Sequence, residues 1–180
     1  VYYLVHSMDS RTKRLVSAEK KAAQNFIQRI NQTKAKQIIF LSGIGHDKKL
    51  SHHLKARHKV EDVLMSSKVS TTILRCGIII GSGSRSFEII RELIEKLPLM
   101  IAPRWINNYS DPIAIYDVID YLVKVLNNPK CLNKRFEIGG PTRLTFKEMM
   151  IGLAKIRGLK RVVITLPFLN LKLSSYWLHL

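Results

Sequence analysis

The sequence predicts an α/β fold built on a doubly wound parallel sheet. Short apolar runs alternate with stretches of helical periodicity along the whole chain. Two of these runs, IIFLS at 38–42 and TTILRCGIII at 71–80, are nearly continuous in apolar residues and do not alternate with polar ones. Such strands are typical of a parallel sheet that helices cover on both faces. A chain of 180 residues can bury a sizeable core, so we expect residues 1–180 to form a single domain.

Each element has its own local signal. Strands are predicted at 2–6, 38–42 and 71–80, and in the later runs FEIGG and RVVITL. Between them, apolar residues spaced three and four apart predict helices. The clearest helix start is Thr145-Phe-Lys-Glu148, a capping-box pattern, and Gly158 is the expected end of that helix.

The composition is strongly basic, with a net charge of +17. Such a charge attracts phosphate backbones, and a non-specific nucleic-acid-binding module is therefore one alternative function. The basic residues are spread along the chain without interleaved aromatic residues, so a general lysine bias explains them better and we predict no specific nucleic-acid binding. Two cysteines and the absence of a secretion signal favour a cytoplasmic location, and no apolar stretch is long enough to span a membrane.

Both ends of the sequence have the pattern of a truncated domain. It opens on VYYLVH, within a predicted strand, and closes on the apolar segment SSYWLHL. We expect the chain to be truncated at both ends relative to a longer protein, with a possible partner domain after residue 180.

The segment LSHHLKARHKVE at 50–61 is rich in histidine and basic residues. A metal site on a helix needs ligands three or four residues apart, whereas His58 follows His53 by five residues and His52 by six. No cysteine or glutamate completes a ligand set on one helix face. We therefore predict no metal site.

The same segment carries a second pattern. His53 and Arg57 are four residues apart and share one face of the predicted helix, and the preceding strand ends at Ser42. In one known kind of hydride-transfer site a serine ends a strand, and a tyrosine and a lysine four residues apart follow on the next helix. Because ligands of doubly wound sheets bind at the carboxyl ends of the strands, the residues after each strand are candidates for a binding site. These residues are His6, Ser7, Met8, Ser42, Gly43, Arg75, Cys76, Gly77, Gly139 and Gly140.

Five motifs in order carry a family resemblance. They are YYLVHSM, IIFLSGIG, TTILRCGIIIGSGS, PIAIYDVIDYL and RFEIGGPTRLTFKEMM. In this order they resemble the later part of extended or atypical short-chain dehydrogenases/reductases, in particular NmrA-like NAD(P)-binding proteins and relatives of nucleoside-diphosphate-sugar epimerases. The resemblance covers nearly all 180 residues and implies a Rossmann-type fold with NAD or NADP as cofactor. The glycine-rich turn that grips the pyrophosphate in this family is expected upstream of Val1.

The resemblance also implies the site residues. LRCGIIIG takes the place of the family's L-R-P-G-x-V-Y-G strand exit, with Cys76 at the proline position and with Gly77 and Ile79 keeping the pattern. His6, Ser7 and Met8 fall where the fourth strand meets the cofactor. The catalytic Tyr-x-x-x-Lys aligns with His53-Leu-Lys-Ala-Arg57, so both catalytic residues are replaced.

Two functions follow from this pattern. We expect an NAD(P)-binding protein with a degenerate Tyr-x-x-x-Lys site that serves binding, sensing or structure, in which Arg57 still holds a ribose or phosphate. The alternative is an active NAD(P)-dependent oxidoreductase or epimerase-like enzyme in which Ser42, His53 and Arg57 are catalytic. The sequence defines neither the small-molecule substrate nor the choice between NAD and NADP.

Overall fold

A computed structural model describes residues 1–5, 15–45 and 51–166 of the chain. The helices and strands alternate, with short 3₁₀ turns in two of the loops. The strands are β1 (Tyr2–Tyr3), β2 (Gln37–Gly43), β3 (Ser70–Cys76), β4 (Ile79–Ile80), β5 (Leu99–Pro103), β6 (Tyr109–Ser110), β7 (Ile113–Ala114), β8 (Lys134–Ile138), β9 (Leu144–Thr145) and β10 (Val162–Leu166). The helices are α1 (Leu15–Ile30), α2 (His52–Met65), α3 (Arg85–Lys96), α4 (Ile115–Lys124) and α5 (Phe146–Ile156).

The main sheet has four strands in the order β1-β2-β3-β8, and all of its pairs are parallel. Helices cover both of its faces. Tyr3, Phe40 and Ile73 pack with residues of α1 and α2 in one hydrophobic core. On the opposite face the Gln37 side chain donates to the carbonyl oxygen of Val125, just past α4 (3.0 Å). The doubly wound parallel sheet is therefore confirmed.

The predicted strand at 71–80 is wrong in its extent. β3 ends at Cys76, and Ile79–Ile80 forms β4, which pairs with β7 in a separate two-stranded sheet. A continuous apolar run does not reveal such a break, because the residues on both sides of it are buried or half-buried. The first strand is also shorter than predicted, covering Tyr2–Tyr3 instead of 2–6.

The chain divides into two compact units. The first comprises Val1–Gly77 and Tyr116–Ile138 and contains the four-stranded sheet. The second comprises Ile78–Ile115 and Gly139–Leu180, and its described part holds three two-stranded sheets with α3 and α5. Its own core includes Ile90, Ile94, Met149 and Ala154. A single domain over residues 1–180 stays a prediction.

The helix predicted from the capping-box pattern is confirmed. The Thr145 hydroxyl accepts from the backbone N–H of Glu148 (3.1 Å), and the Glu148 carboxylate accepts from the backbone N–H of Thr145 (2.7 Å). The helix ends before Gly158, whose φ of +67° is a conformation that favours glycine.

Candidate functional site

The candidate site lies at the carboxyl ends of β2 and β3 in the first unit. The two strands are parallel and in register, so Ser42 stands opposite Arg75 and Gly43 stands opposite Cys76. Helix α2 leads from one strand to the other, and it carries His53 and Arg57 in its first half. The structure therefore brings Ser42, Gly43, Arg57 and Cys76 to neighbouring positions at one end of the sheet.

The Ser42 side chain is directed at a buried carboxylate. Its hydroxyl donates a 2.6 Å hydrogen bond to Oε1 of Glu61, one helical turn beyond Arg57 on α2. Ser42 is 1% exposed and Glu61 is fully buried. A serine that orients a substrate carbonyl must donate its proton to that carbonyl, whereas this hydroxyl already donates to Glu61.

Three basic side chains surround the Glu61 carboxylate. Arg75 donates to it from Nε (3.0 Å to Oε2) and from Nη2 (2.6 Å to Oε2). Nε of Arg135 on β8 lies 3.4 Å from the same oxygen, and Nε2 of His58 lies 3.9 Å from Oε1. A buried carboxylate is stable only when it is paired and hydrogen-bonded in this way. Bonding to Glu61 raises the pKa of Arg75, so this guanidinium stays charged.

Arg57 turns back towards the sheet. Its Nη1 donates a 2.9 Å hydrogen bond to the carbonyl oxygen of Leu41, and its guanidinium lies 5.8 Å from the centre of the Phe40 ring. Burial lowers the pKa of Arg57, and the charge of Glu19 is the largest effect in the opposite direction. One guanidinium N–H is therefore used by the strand end, and the other four donors make no hydrogen bond within residues 1–5, 15–45 and 51–166.

His53 lies four residues before Arg57 in α2 and is half-buried. The start of this helix passes very close to the end of β2. A side chain at Gly43 would bring its first carbon within 2.8 Å of Cδ2 of Leu54, so a larger residue there would displace the helix or the Leu54 side chain. Because Cδ2 is the far end of a flexible side chain, Leu54 can move aside, and this contact places little demand on glycine at position 43.

The three predicted residues of the strand exit belong to two different units. Cys76 is buried at the end of β3, with its Sγ 3.5 Å from the carbonyl oxygen of Ser42, and burial raises the pKa of its thiol. Gly77 is half-buried and ends the first segment of the first unit, whereas Ile79 belongs to β4 in the second unit. His6, Ser7 and Met8 lie outside the described residues.

In the described ranges, no cluster of three or more His, Cys, Asp or Glu residues is arranged to hold a metal ion. None of the helices in the same ranges is both long and apolar enough to cross a membrane.

The most important residue that sequence reasoning left without a role is Glu61. The signal that might have revealed its partner is Arg75, a charged residue inside an otherwise apolar strand. Charged residues are almost never buried unless they are paired, so Arg75 indicates a carboxylate nearby. The sequence did not show which carboxylate, because the choice among Glu61, Asp62 and Glu137 depends on strand register and helix rotation.

Parallel strands in the order β1-β2-β3-β8, helices on both faces and polar groups at the carboxyl ends of the strands define a Rossmann-type fold. Solved structures of the short-chain dehydrogenase/reductase superfamily, including epimerases, share it. The predicted resemblance to this superfamily is thus confirmed at the level of the fold. No family model and no curated protein sequence matches the chain.

Three solved structures illustrate the similarity. A UDP-glucose 4-epimerase from Thermotoga maritima, solved with UDP-glucose, has a TM-score of 0.75 and 16% identity, covering 93% of this chain and 63% of the epimerase. An epimerase from Methanothermobacter thermautotrophicus has a TM-score of 0.76 and 10% identity. The match covers 93% of this chain and 59% of that epimerase. A short-chain dehydrogenase/reductase superfamily protein from Agrobacterium tumefaciens, solved with NAD, has a TM-score of 0.69 and 13% identity. The match covers 93% of this chain and 67% of that protein. The chain thus spans about three-fifths of the length of the two epimerases.

Proposed function

We propose that the natural protein containing these 180 residues binds NAD or NADP at the carboxyl ends of β1, β2 and β3, and that it has no efficient Tyr/Lys redox chemistry. The first half of this proposal is supported by the Rossmann-type fold and by similar structures solved with NAD. In such folds dinucleotides bind beyond the carboxyl ends of parallel strands. Residues proposed to approach the cofactor are His6, Ser7, Met8, Ser42, Gly43, Arg57, Cys76, Gly77 and Ile79.

The second half rests on one observation, the bond from the Ser42 hydroxyl to buried Glu61. Reduction of a carbonyl needs a positioned group that gives a proton to the oxygen as hydride arrives at the carbon. Of the three candidates, Ser42 donates to Glu61 and Arg57 is a guanidinium that does not release its proton. Only His53 can exchange protons near neutral pH, and it lacks the neighbouring lysine of the family pattern.

Arg57 keeps a role in this proposal. A guanidinium presents its N–H groups in a planar fork that suits ribose and phosphate oxygens. Arg57 donates to Leu41 with one group, and its remaining donors are available to a bound nucleotide. The bound cofactor could be sensed, or it could stabilise a larger protein. Neither role needs catalytic turnover. A cytoplasmic location remains part of the proposal.

Isothermal titration with NADH and NADPH tests the binding half. We expect Arg57→Ala to weaken binding by about 1–2 kcal/mol, the scale of a charge-assisted hydrogen bond. Lys55→Ala is the matched control, since Lys55 is an exposed cation on the same helix, and it should leave affinity unchanged. Thermal unfolding of each variant separates lost binding from lost folding. Equal weakening by both changes would count against a specific role for Arg57.

Turnover assays with His53→Ala test the redox half. The proposal expects no change in cofactor oxidation with carbonyl substrates or in sugar-nucleotide epimerisation. The alternative of an active oxidoreductase or epimerase requires a loss of about a hundredfold or more, the usual effect of removing a general acid or base. A loss of that size with unchanged cofactor affinity would establish the alternative.

A further inference from the structure

The second unit contains an apolar cavity of about 260 Å³. It is lined by residues of α3, strand β5, the 3₁₀ turn at Arg104–Asn107 and the first two turns of α5. Of the lining residues all but Ser86 are apolar, and Trp105 and Phe146 form one wall with an edge-to-face contact of 5.3 Å between ring centres. Ligand pockets are usually concave, mostly apolar and provided with few polar groups.

The cavity opens to solvent through side chains that a soluble fold would normally bury. Ile89 is 51% exposed, Leu99 50% and Trp105 42%, and all three line the same cavity. Contiguous exposed apolar surface of this kind marks a binding site more often than scattered single residues do.

The charges of this unit favour an anion. Its described residues include ten Lys or Arg and five Asp or Glu. Every one of these carboxylates has a partner: Glu88 with Arg91, Glu92 with Lys96, Glu95 with Arg157, Asp111 with Arg143 and Glu148 with Thr145. In contrast, Arg85, Arg104 and Lys147 have no ion-pair partner in the described part of the chain, and each adjoins a lining residue in the sequence.

The lining does not suit a nucleotide sugar. UDP-glucose, which one similar epimerase holds in its solved structure, carries many hydroxyl groups. Burying hydroxyls against apolar walls without hydrogen-bond partners is unfavourable for each group. Ser86 is the only lining side chain with a hydroxyl to offer. A ligand with a large apolar part fits this lining better.

We propose that this cavity binds a free amphipathic anion of low molecular weight, with an acyl chain or ring system against Trp105 and Ile101 and a carboxylate or phosphate near Arg85, Arg104 and Lys147. The site lies within the second unit and uses none of the residues assigned to the cofactor. It therefore goes beyond the proposed function, and binding is measured with no cofactor present.

Decanoate is a suitable probe, with 1-decanol as the uncharged analogue and UDP-glucose as the polar competitor. Isothermal titration should show sub-millimolar binding of decanoate, weaker binding of decanol and no displacement by UDP-glucose. Arg104→Gln should weaken decanoate binding about three- to tenfold at low salt and leave decanol binding unchanged, because only the ionic contribution to affinity is lost. Lys155→Gln, an exposed cation on α5 away from the lining residues, is the control.

A matched pair of strand residues tests the apolar part. Ile101 on β5 and Ile164 on β10 stand opposite each other in register and are 39% and 44% exposed, but only Ile101 lines the cavity. Ile101→Ser should weaken decanoate binding about tenfold or more, whereas Ile164→Ser should leave it unchanged. Trp105→Leu offers a second variant at an exposed lining position if Ile101→Ser unfolds.

Three results would overturn the proposal. One is absence of decanoate and decanol binding at about 1 mM, which corresponds to about −4 kcal/mol. Another is equal weakening by Ile101→Ser and Ile164→Ser. The third is binding of phosphatidylglycerol vesicles in place of free decanoate, which would make this face a membrane contact. None of these results bears on NAD or NADP binding, so the two proposals fail separately.

Discussion

The hydroxyl of Ser42 donates a 2.6 Å hydrogen bond to the carboxylate of Glu61, and both residues are buried where β2 ends beside α2. This contact joins the strand end to the helix. It also sets the direction of a hydroxyl that the family resemblance associates with catalysis.

Removal of the Ser42 hydroxyl should therefore lower the stability of the fold. We expect Ser42→Ala to lower the free energy of unfolding by about 1.5–3 kcal/mol, since the lost bond is to a charged group. Glu61→Ala should cost about 3–5 kcal/mol because it removes the buried carboxylate that pairs with both Arg75 and Arg135. Urea unfolding measures both.

Ser66→Ala is the control for that comparison. The Ser66 hydroxyl is exposed and bonds only within its own helix end, so its removal should change stability by no more than about 0.5 kcal/mol. A Ser42→Ala protein as stable as Ser66→Ala would show that the Ser42–Glu61 bond contributes little.

A second stability test concerns Thr165 on β10. Its buried hydroxyl oxygen has no hydrogen-bond partner among the described residues. Thr165→Val keeps the shape and removes the unpaired group, so we expect the free energy of unfolding to rise by about 1 kcal/mol. Thr72→Val should do the opposite, because the Thr72 hydroxyl donates to Cys131 (2.7 Å) and accepts from Gln37 (2.8 Å). A loss of stability in both variants would show that the Thr165 hydroxyl has a hydrogen-bond partner.

The capping box of α5 predicts a pH dependence. Bonds from the backbone N–H and the hydroxyl of Thr145 lower the pKa of Glu148. A carboxyl with a lowered folded pKa contributes stability above its unfolded pKa, about 4.3, and loses it as pH falls through the folded value. The stability difference between the natural chain and Glu148→Gln should therefore be largest above about pH 5 and shrink at lower pH.

Chemical denaturation of both proteins at several pH values between about 3 and 7 measures this difference. Glu92→Gln on α3 is the control, because it removes only a 3.5 Å surface contact with Lys96. A difference for Glu148→Gln that grows as pH falls would contradict the assigned capping role.

The two cysteines should differ in reactivity. Cys76 is buried, and burial raises the pKa of its thiol, whereas Cys131 is only half-buried. The thiolate is the reactive form, so a maleimide at pH 7 should label Cys131 at least about tenfold faster than Cys76. Mass spectrometry of labelled peptides gives both rates, and urea should abolish the difference. Faster labelling of Cys76 in the folded protein would place its thiol in an open groove.

Helix α4 offers the last test, because it carries apolar residues on two faces. Val118 is 1% exposed, whereas Val123 on the same helix is 61% exposed. Val118→Ala should cost about 2 kcal/mol through lost burial and a small cavity, and Val123→Ala no more than about 0.5 kcal/mol. Thermal or urea unfolding of the two variants measures both costs. A large cost at Val123 would show that this face is covered.

The sequence by itself determined the five helices, five of the strand segments in their order and the parallel sheet, but not β5, β6, β7 and β9. Continuous apolar runs, helical stripes and the Thr145 capping box depend on neighbours within a few residues, so local patterns are enough. The four-residue spacing of His53 and Arg57 on one helix is local in the same sense.

Tertiary structure decided the contacts between distant residues. Ser42 meets Glu61 and Arg75 only because β2 and β3 pair in one particular register and α2 turns one face towards them. The break after Cys76 and the half-open cavity around Trp105 likewise depend on which surfaces other elements cover. An apolar residue suits a core and an open pocket equally well, so composition and spacing do not distinguish them, and only the packed neighbours do.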